Sequence, residues 1–294
     1  MNWRTKEKII SYILFVFALS SIIFLTGIII VLFREGLPIF KKIGILNFMF
    51  NKEWYPTYDP PSFGILPLLS GSLVVTLGAM VFSIPIGISS AIFISYILPK
   101  KIKNIVKPTI ELLAGIPSVV YGLFGMKILG LFIKDLFNLP IGLTALTASI
   151  MLGIMALPTI VSLADDAITS VPKSYRDASL ALGGTKWETI SRVILPASTS
   201  GIVTAGILGM GRAIGETMTV LMVAGGAAVM PKNILKPVRP MTATIAAEMG
   251  EAPVGSVHYQ ALFGIAIILF VITLIFNIIA DIASRRFKKK VSGQ

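Results

Sequence analysis

The chain has 294 residues, of which 55% are hydrophobic and 14% are charged, and its mean hydropathy is +0.86. Its apolar runs are too long for soluble core helices, so the composition indicates an integral membrane protein. The formal net charge of +12 does not indicate nucleic acid, because the basic residues flank apolar runs and no aromatic platform accompanies them. The absence of cysteine excludes disulfides and thiol catalysis.

Apolar windows long enough to cross about 30 Å of hydrocarbon recur along the chain. They predict an all-α, polytopic membrane protein with six transmembrane helices, at 10–33, 68–98, 112–131, 143–163, 202–230 and 261–282. Lys and Arg are retained in cytoplasmic loops, and placing the N-terminus inside puts most of these residues on the inner side. We therefore expect both termini in the cytoplasm and a first span that is retained in the membrane.

The spans divide the chain into three parts. Residues 1–65 form an N-terminal transmembrane helix and an extracytoplasmic segment, residues 66–284 form the transmembrane core, and residues 285–294 form a basic cytoplasmic tail. Mixed aromatic residues and prolines predict an irregular interfacial loop over 34–66. A second outside loop, 231–260, contains a predicted short helix from Met241 to Met249.

Two charged residues, Arg212 and Glu216, lie in the fifth window. Each costs about 2.5 to 3.5 kcal/mol at mid-depth of a bilayer, which is seldom tolerated without a use. On one continuous helix they share a small and polar stripe, which we expect to face a translocation pathway. The stripe consists of Ala205, Gly209, Arg212, Glu216 and Thr219.

The arginine fork in this stripe suits an oxyanion, and Glu216 can neutralise Arg212 when the pathway is empty. The residues alone leave a second interpretation open, in which the two charges form a structural ion pair between packed helices. Gly211 and Gly215 also fit a small-xxx-small packing pattern, which favours that alternative.

A polar segment on the inner side, residues 165–198, separates the fourth and fifth spans. Pro172 begins a helix, and Gly183 with Gly184 supplies a left-handed stop. Thr185 is an N-cap with Glu188 three residues later, which predicts a capping box and a second short helix that ends at the proline. The segment is therefore predicted to be a helical hairpin presented to the cytosol.

The spacing of seven residues in this hairpin resembles the EAA loop of ABC importer permeases. These residues are Asp177, Ala178, Ser179, Gly183, Val193, Leu195 and Pro196. The family usually has Glu, Ala, Ala and Ile at the first three positions and at position 193, while the glycine and Leu-Pro are intact. The resemblance implies a type I, MetI-like permease core.

In that family the loop couples transport to ATP hydrolysis by another chain. The resemblance implies an ATPase-coupling role for Asp177, Ala178, Ser179, Gly183, Leu195 and Pro196. No Gly-x-x-x-x-Gly-Lys-Ser/Thr loop occurs in the sequence, so ATP and Mg are expected on the partner ATPase. This chain is then a transport subunit with no catalytic residue, cofactor or metal of its own.

Two further stretches, 212–220 and 111–122, resemble phosphate importer permeases, and 54–64 and Met218 to Val220 are similar to the PstC type rather than the PstA type. The resemblance implies inorganic phosphate as substrate and Arg212, Glu216 and Thr219 along its path. It also implies a PstA-type permease, a PstB-type ATPase dimer and an extracytoplasmic phosphate-binding protein as partners, with lipid around the spans.

Several other functions remain compatible with the charge pattern. A permease of the same fold could carry sulfate, molybdate or an organic phosphate. An ion-coupled secondary transporter could use Arg212 and Glu216 as a proton relay, although it leaves the hairpin unexplained. A membrane enzyme is disfavoured, because the single histidine, His258, falls in an outside loop and no metal-ligand or nucleophile motif accompanies it.

Overall fold

The computed structural model describes the backbone of residues 3–291. It describes the side chains of residues 7, 10–279, 281 and 282. The chain is built from helices and one two-stranded sheet. The helices are α1 (Trp3–Ile43), α2 (Ile45–Phe50), α3 (Leu66–Ile92), α4 (Lys100–Leu113), α5 (Ser118–Phe124), α6 (Gly130–Leu136), α7 (Ala145–Thr169), α8 (Lys173–Ala181), α9 (Lys186–Thr189), α10 (Leu195–Ile214), α11 (Met218–Val223), α12 (Met241–Glu248) and α13 (Val257–Val291). The antiparallel strands are β1 (Trp54–Tyr55) and β2 (Ser62–Phe63).

Within residues 3–291, five continuous helical segments are long and apolar enough to cross a membrane. They are Ile10–Ile43, Leu66–Ile97, Ala145–Thr169, Lys186–Ile214 and Val257–Ile279. A sixth candidate span is the pair Lys100–Leu113 and Ser118–Leu136, which bend by 89° at their junction. The predicted number of spans agrees with the structure when this bent pair is counted as one, and α12 confirms the short helix predicted in the second outside loop.

The segment 34–66 differs from the irregular loop predicted for it. Helix α1 continues through Pro38 to Ile43, and α2 and the small sheet lie within the remainder. The aromatic residues Phe48 and Trp54 are almost fully buried with Ile39 in a core that includes Leu262 of α13. Tertiary packing therefore gives order to a stretch that its aromatic residues and prolines had predicted to be an irregular loop.

The third predicted window, 112–131, lies across a break in the chain. Helix α4 ends at Leu113 and α5 begins after Pro117, which has no N–H group to continue a helical hydrogen-bond ladder. The residue before a proline is also driven away from helical geometry. This candidate span therefore consists of two arms, with α4 inclined at 89° to the arm that follows the break.

The fifth predicted window, 202–230, is wrong at both ends. The spanning helix begins at Lys186, passes through a π-helical turn at Ile190–Ile194 and through Pro196, and ends at Ile214. The chain then breaks at 215–217 before α11 resumes. The second arm of the hairpin is consequently continuous with the spanning helix and is not a separate short helix that ends at the proline.

Helices α3, α7 and α10 pack through small residues. A Cβ at Gly153 of α7 would overlap the ring of Phe82 of α3, and a Cβ at Gly209 of α10 would overlap the side chain of Ile160. Such close approach is the usual means of helix association within a membrane. The predicted tail, 285–294, lies partly on α13, and its side chains and last three residues are outside the described part of the chain.

Candidate functional site

Arg212 lies in the last turn of α10, beside the middle of α7. Its Nη1 donates to Thr159 Oγ1 at 3.1 Å, and its Nη2 donates to the carbonyl oxygen of Ala114 at 3.1 Å. Arg212 is nevertheless an exposed residue. The guanidinium is therefore held at two nitrogens while part of its fork faces open space.

The C-terminal end of α4 supplies backbone acceptors to this region, because the last carbonyls of a helix have no partner within it. Arg212 binds the carbonyl of Ala114, and the hydroxyl of Tyr121 donates to the carbonyl of Leu113 at 3.1 Å. The hydroxyl of Thr219 donates to the carbonyl of Ser118 at 3.0 Å. Two residues predicted for the translocation path, Arg212 and Thr219, thus bind the two sides of one break.

Glu216 does not pair with Arg212, although one turn of helix was expected to bring them together. It lies in the break after α10, and its Oε1 accepts from the backbone N–H of Thr219 at 3.2 Å. Its own carbonyl accepts from the hydroxyl of Thr242 at 2.7 Å. Glu216 therefore binds the first turn of α11, and the single stripe through Arg212, Glu216 and Thr219 is wrong because α10 ends first.

Helix α4 and the C-terminal half of α7 are joined by polar side chains that the sequence analysis did not single out. Asp165 is buried, and its carboxylate binds Ser95 Oγ at 2.6 Å, Lys103 Nζ at 2.8 Å and Lys107 Nζ at 2.9 Å. Lys107 also binds Asp166 at 2.5 Å. We call these five residues the Asp165 cluster. The sequence did contain a signal for this cluster: Asp165 and Asp166 follow an apolar run, and Lys103 and Lys107 lie one helical turn apart on α4. This pattern could have predicted ion pairs between the two helices.

The hairpin between α7 and α10 has the local geometry that was predicted. Gly183 has φ of 83°, and the backbone N–H of Gly184 donates to the carbonyl of Ser179 at 3.1 Å. The hydroxyl of Thr185 accepts from the N–H of Glu188, and the Glu188 carboxylate accepts from the N–H of Thr185, so both halves of the capping box are present. Helix α8 ends, and α9 begins, at these residues.

The hairpin presents its side chains to the surroundings. No residue of α8 is buried, and Asp177 and Ala178 are exposed at its middle. Leu182 is 90% exposed and Trp187 is 64% exposed. Large apolar side chains that are exposed within one short segment can mark a surface for contact with another molecule. Such a surface can dock into a groove of another protein.

Other hairpin residues tie the surface to the spans. The hydroxyl groups of Ser179 and Thr189 are 2.9 Å apart, which joins α8 to α9. Leu195 packs against a buried cluster of α3, α7 and α10 that includes Ala164 and Ile194. Pro196 lies in the first turn of α10, where it needs no N–H partner. The hairpin can therefore transmit movement to the helix that carries Arg212.

A second polar cluster lies between the two segments predicted outside, 34–66 and 231–260. Glu248 binds Arg239 Nη1 at 2.6 Å, His258 Nε2 at 2.9 Å and Trp54 Nε1 at 3.1 Å. These residues line a cleft of about 450 Å³. His258, expected on the surface, is mostly buried here, at 15% side-chain exposure. The cluster joins the two segments into one lobe.

Comparison with known proteins agrees with this architecture. Residues 83–292 match the family described as binding-protein-dependent transport system inner membrane component. A probable ABC transporter permease, YqgH of Bacillus subtilis, is 39% identical over 256 residues, which cover 86% of this chain and 83% of that protein. The phosphate transport system permease PstC of Mesorhizobium japonicum is 32% identical over 282 residues, which cover 90% of this chain and 85% of that protein.

Solved structures support the same fold. A bacterial alginate ABC transporter in complex with its periplasmic protein has a chain with a TM-score of 0.63, at 16% identity, covering 97% of this chain and 98% of that one. An inward-facing MetNI methionine ABC transporter has a chain with a TM-score of 0.58, at 17% identity, covering 74% and 93%. The protein therefore belongs to the binding-protein-dependent transport system inner membrane components, the multi-pass permeases of ABC importers.

Proposed function

We propose that the chain imports inorganic phosphate as one of two permease subunits of an ABC importer in the cytoplasmic membrane. The observation that carries the proposal is the exposed Arg212 guanidinium, held beside the middle of a spanning helix at a break in its neighbour. An arginine fork in a water-accessible part of a membrane protein favours an oxyanion. Relatives over most of the chain are named phosphate transport permeases, which supports phosphate among the oxyanions.

In this function Arg212 binds the phosphate during its passage, while Glu216 and Thr219 hold the break that positions the arginine. The bond from the Thr219 N–H to Glu216 and the bond from the Thr219 hydroxyl to the Ser118 carbonyl support this division. Because Glu216 binds backbone rather than Arg212, the arginine charge is not cancelled by that neighbour. Its positive charge is then available to the substrate in this conformation.

The hairpin binds a separate ATPase and follows the conformational change that accompanies ATP hydrolysis. Its exposed apolar side chains, Leu182 and Trp187, support docking of a soluble partner, and the continuous helix from Lys186 to Ile214 supports transmission to Arg212. The partners are a PstB-type ATPase dimer that binds ATP and Mg, a PstA-type permease and an extracytoplasmic phosphate-binding protein. Both termini then lie in the cytoplasm, on the side of the hairpin.

Reconstitution of the complete complex with its binding protein tests the substrate. We expect ATP-dependent import of phosphate, and of arsenate, whose geometry is similar. ATP-dependent import of sulfate or molybdate but not phosphate would refute the assignment. Import that persists without ATP and collapses with an uncoupler would instead support an ion-coupled transporter.

The role of Arg212 is tested by Arg212→Ala in the same complex. Import should be abolished, while assembly with the partner chains is retained, because the side chain is exposed and its partners are a hydroxyl and a carbonyl that water can reach. Arg34→Ala is the matched control, since Arg34 is a largely exposed arginine on α1. Normal import by the Arg212 variant would overturn its place on the path.

A further inference from the structure

The Arg212 guanidinium does not stand alone at the break of the third span. It has five N–H donors, of which one on Nη1 is bound by Thr159 Oγ1 and one on Nη2 by the carbonyl of Ala114. The two acceptors come from different elements, α7 and the end of α4. They fix the plane of the guanidinium and leave other donors for a ligand.

Thr159 differs from most threonines of the spanning helices in what its hydroxyl does. Threonines in these helices commonly donate to a carbonyl of the preceding turn, as Thr26, Thr199, Thr204 and Thr273 do. Thr159 instead accepts from Arg212, and among the described residues no acceptor receives its own hydrogen. A hydroxyl can accept and donate at once, so this hydrogen remains available next to the arginine.

We propose that Thr159 donates this hydrogen to the oxyanion bound by Arg212, so that the substrate is held jointly by a guanidinium and a hydroxyl. The proposal rests on the proposed function, because it assigns a second contact in the same site. Thr159 is only half-buried, and its position on α7 is fixed by helix packing rather than by a loop. A neutral donor strengthens and orients binding without adding a second positive charge that would slow release.

The geometry also explains why the two groups act together. Thr159 keeps its bond to Arg212 while it donates, so substrate binding does not have to break the contact that orients the arginine. When Arg212 moves with α10 relative to α7, the oxyanion loses one of its two donors. The seat formed by Arg212 and Thr159 is then weakened by the same movement that opens the break.

The test compares phosphate imported per ATP hydrolysed in the complete reconstituted complex with loaded binding protein. Thr159→Val removes the hydroxyl at constant shape, and we expect the ratio to fall about tenfold or more, the effect of losing a hydrogen bond to a charged group. ATP hydrolysis stimulated by the binding protein should be retained. Thr159→Ser should restore most of the ratio, and Thr159→Ala replaces the valine variant if that one fails to assemble.

Thr204→Val is the matched control, because the hydroxyl of Thr204 is bound to the carbonyl of Ser200 within α10. Its ratio should equal that of the wild type. An unchanged ratio in both Thr159→Val and Thr159→Ala would overturn the proposal, and so would an equal fall in the Thr204 variant.

A second variant distinguishes contact between Thr159 and the substrate from a role in which Thr159 only positions Arg212. Arg212→Lys replaces the fork with a single ammonium, which cannot be oriented by two acceptors in the same way. A contact between Thr159 and the substrate predicts that Thr159→Val lowers the residual import of this variant further, whereas no further fall contradicts it. If the wild-type complex imports sulfate and not phosphate, the proposed function fails, and the same comparison with sulfate still decides the role of Thr159.

Discussion

The Asp165 cluster gives a stability prediction that can be worked out from its geometry. The Asp165 side chain is 2% exposed and accepts from one hydroxyl and two ammonium groups. Asp165→Asn keeps the volume but removes the charge and one of the two carboxylate oxygens. Lys103 then has no anionic partner among the described residues, while Lys107 keeps Asp166.

The magnitude follows from the exposure of the lysines. Removing one partner from a buried ion pair costs about 3 to 5 kcal/mol. Lys103 and Lys107 are 23% and 29% exposed, so both recover part of their hydration, and we expect a cost of about 2 to 3 kcal/mol. Asp166→Asn is the matched control on the same helix, because its side chain is 60% exposed and such a pair contributes at most about 1 kcal/mol.

Thermal denaturation of the purified complex, followed by loss of the monodisperse species, measures the difference. At about 2 to 4 °C per kcal/mol for a protein of this size, Asp165→Asn should lower the midpoint by about 4 to 12 °C. Asp166→Asn should lower it by no more than about 4 °C. Equal shifts for the two variants would refute the argument that burial of Asp165 makes it the anchor between α4 and α7.

The other predictions concern the hairpin and the lobe that Glu248 holds together. Gly183→Ala places a side chain on a residue with φ of 83°, at a cost of about 1 kcal/mol, and should reduce the ATP hydrolysis that the binding protein stimulates. Gly250→Ala is the control and should leave this hydrolysis unchanged, because a Cβ there would lie in open space. Thr185→Ala removes the capping box, worth about 1 kcal/mol, and should reduce the same stimulation, with Thr185→Ser close to wild type. Glu248→Gln should speed proteolysis within 231–260, and no change relative to Glu251→Gln would contradict the role of the Glu248 cluster.

The hairpin was predictable because its signals are local. A left-handed glycine, an N-cap threonine and a glutamate three residues later each act within one turn of chain. Gly183, Thr185 and Glu188 therefore adopt the predicted geometry. What the local signals could not fix was the length of the second arm, because the π-helical turn before Pro196 lets the helix continue through the proline.

The relation between Arg212 and Glu216 was predicted wrongly because helical spacing holds only while the helix continues. Gly215 lies between them, and the β-branched Thr217 follows, both poor residues for a helix interior. Hydrophobicity averaged over the predicted span 202–230 therefore did not reveal the break at 215–217. The same averaging concealed the break before Pro117 in the third span.

The contacts of Thr159 and Asp165 could not be read from the sequence, since their partners are 53 and 58 to 70 residues away. Which face of α7 meets α4 depends on how the bent span folds back. A single sequence gives the period of each helix but not the pairing of faces between helices. The polar residues of α7 therefore acquire their roles only in the assembled fold.

The helix that runs from the hairpin to Arg212 acts as a lever. Its 29 residues from Lys186 to Ile214 measure about 43 Å at about 1.5 Å per residue. If it rocks about its middle by about 5°, each tip moves by about 2 Å. That displacement takes a 3.1 Å hydrogen bond beyond its useful range, so both bonds of Arg212 can open. A rotation of a few degrees at the hairpin end of the helix is therefore enough to change the contacts that hold Arg212 at the other end.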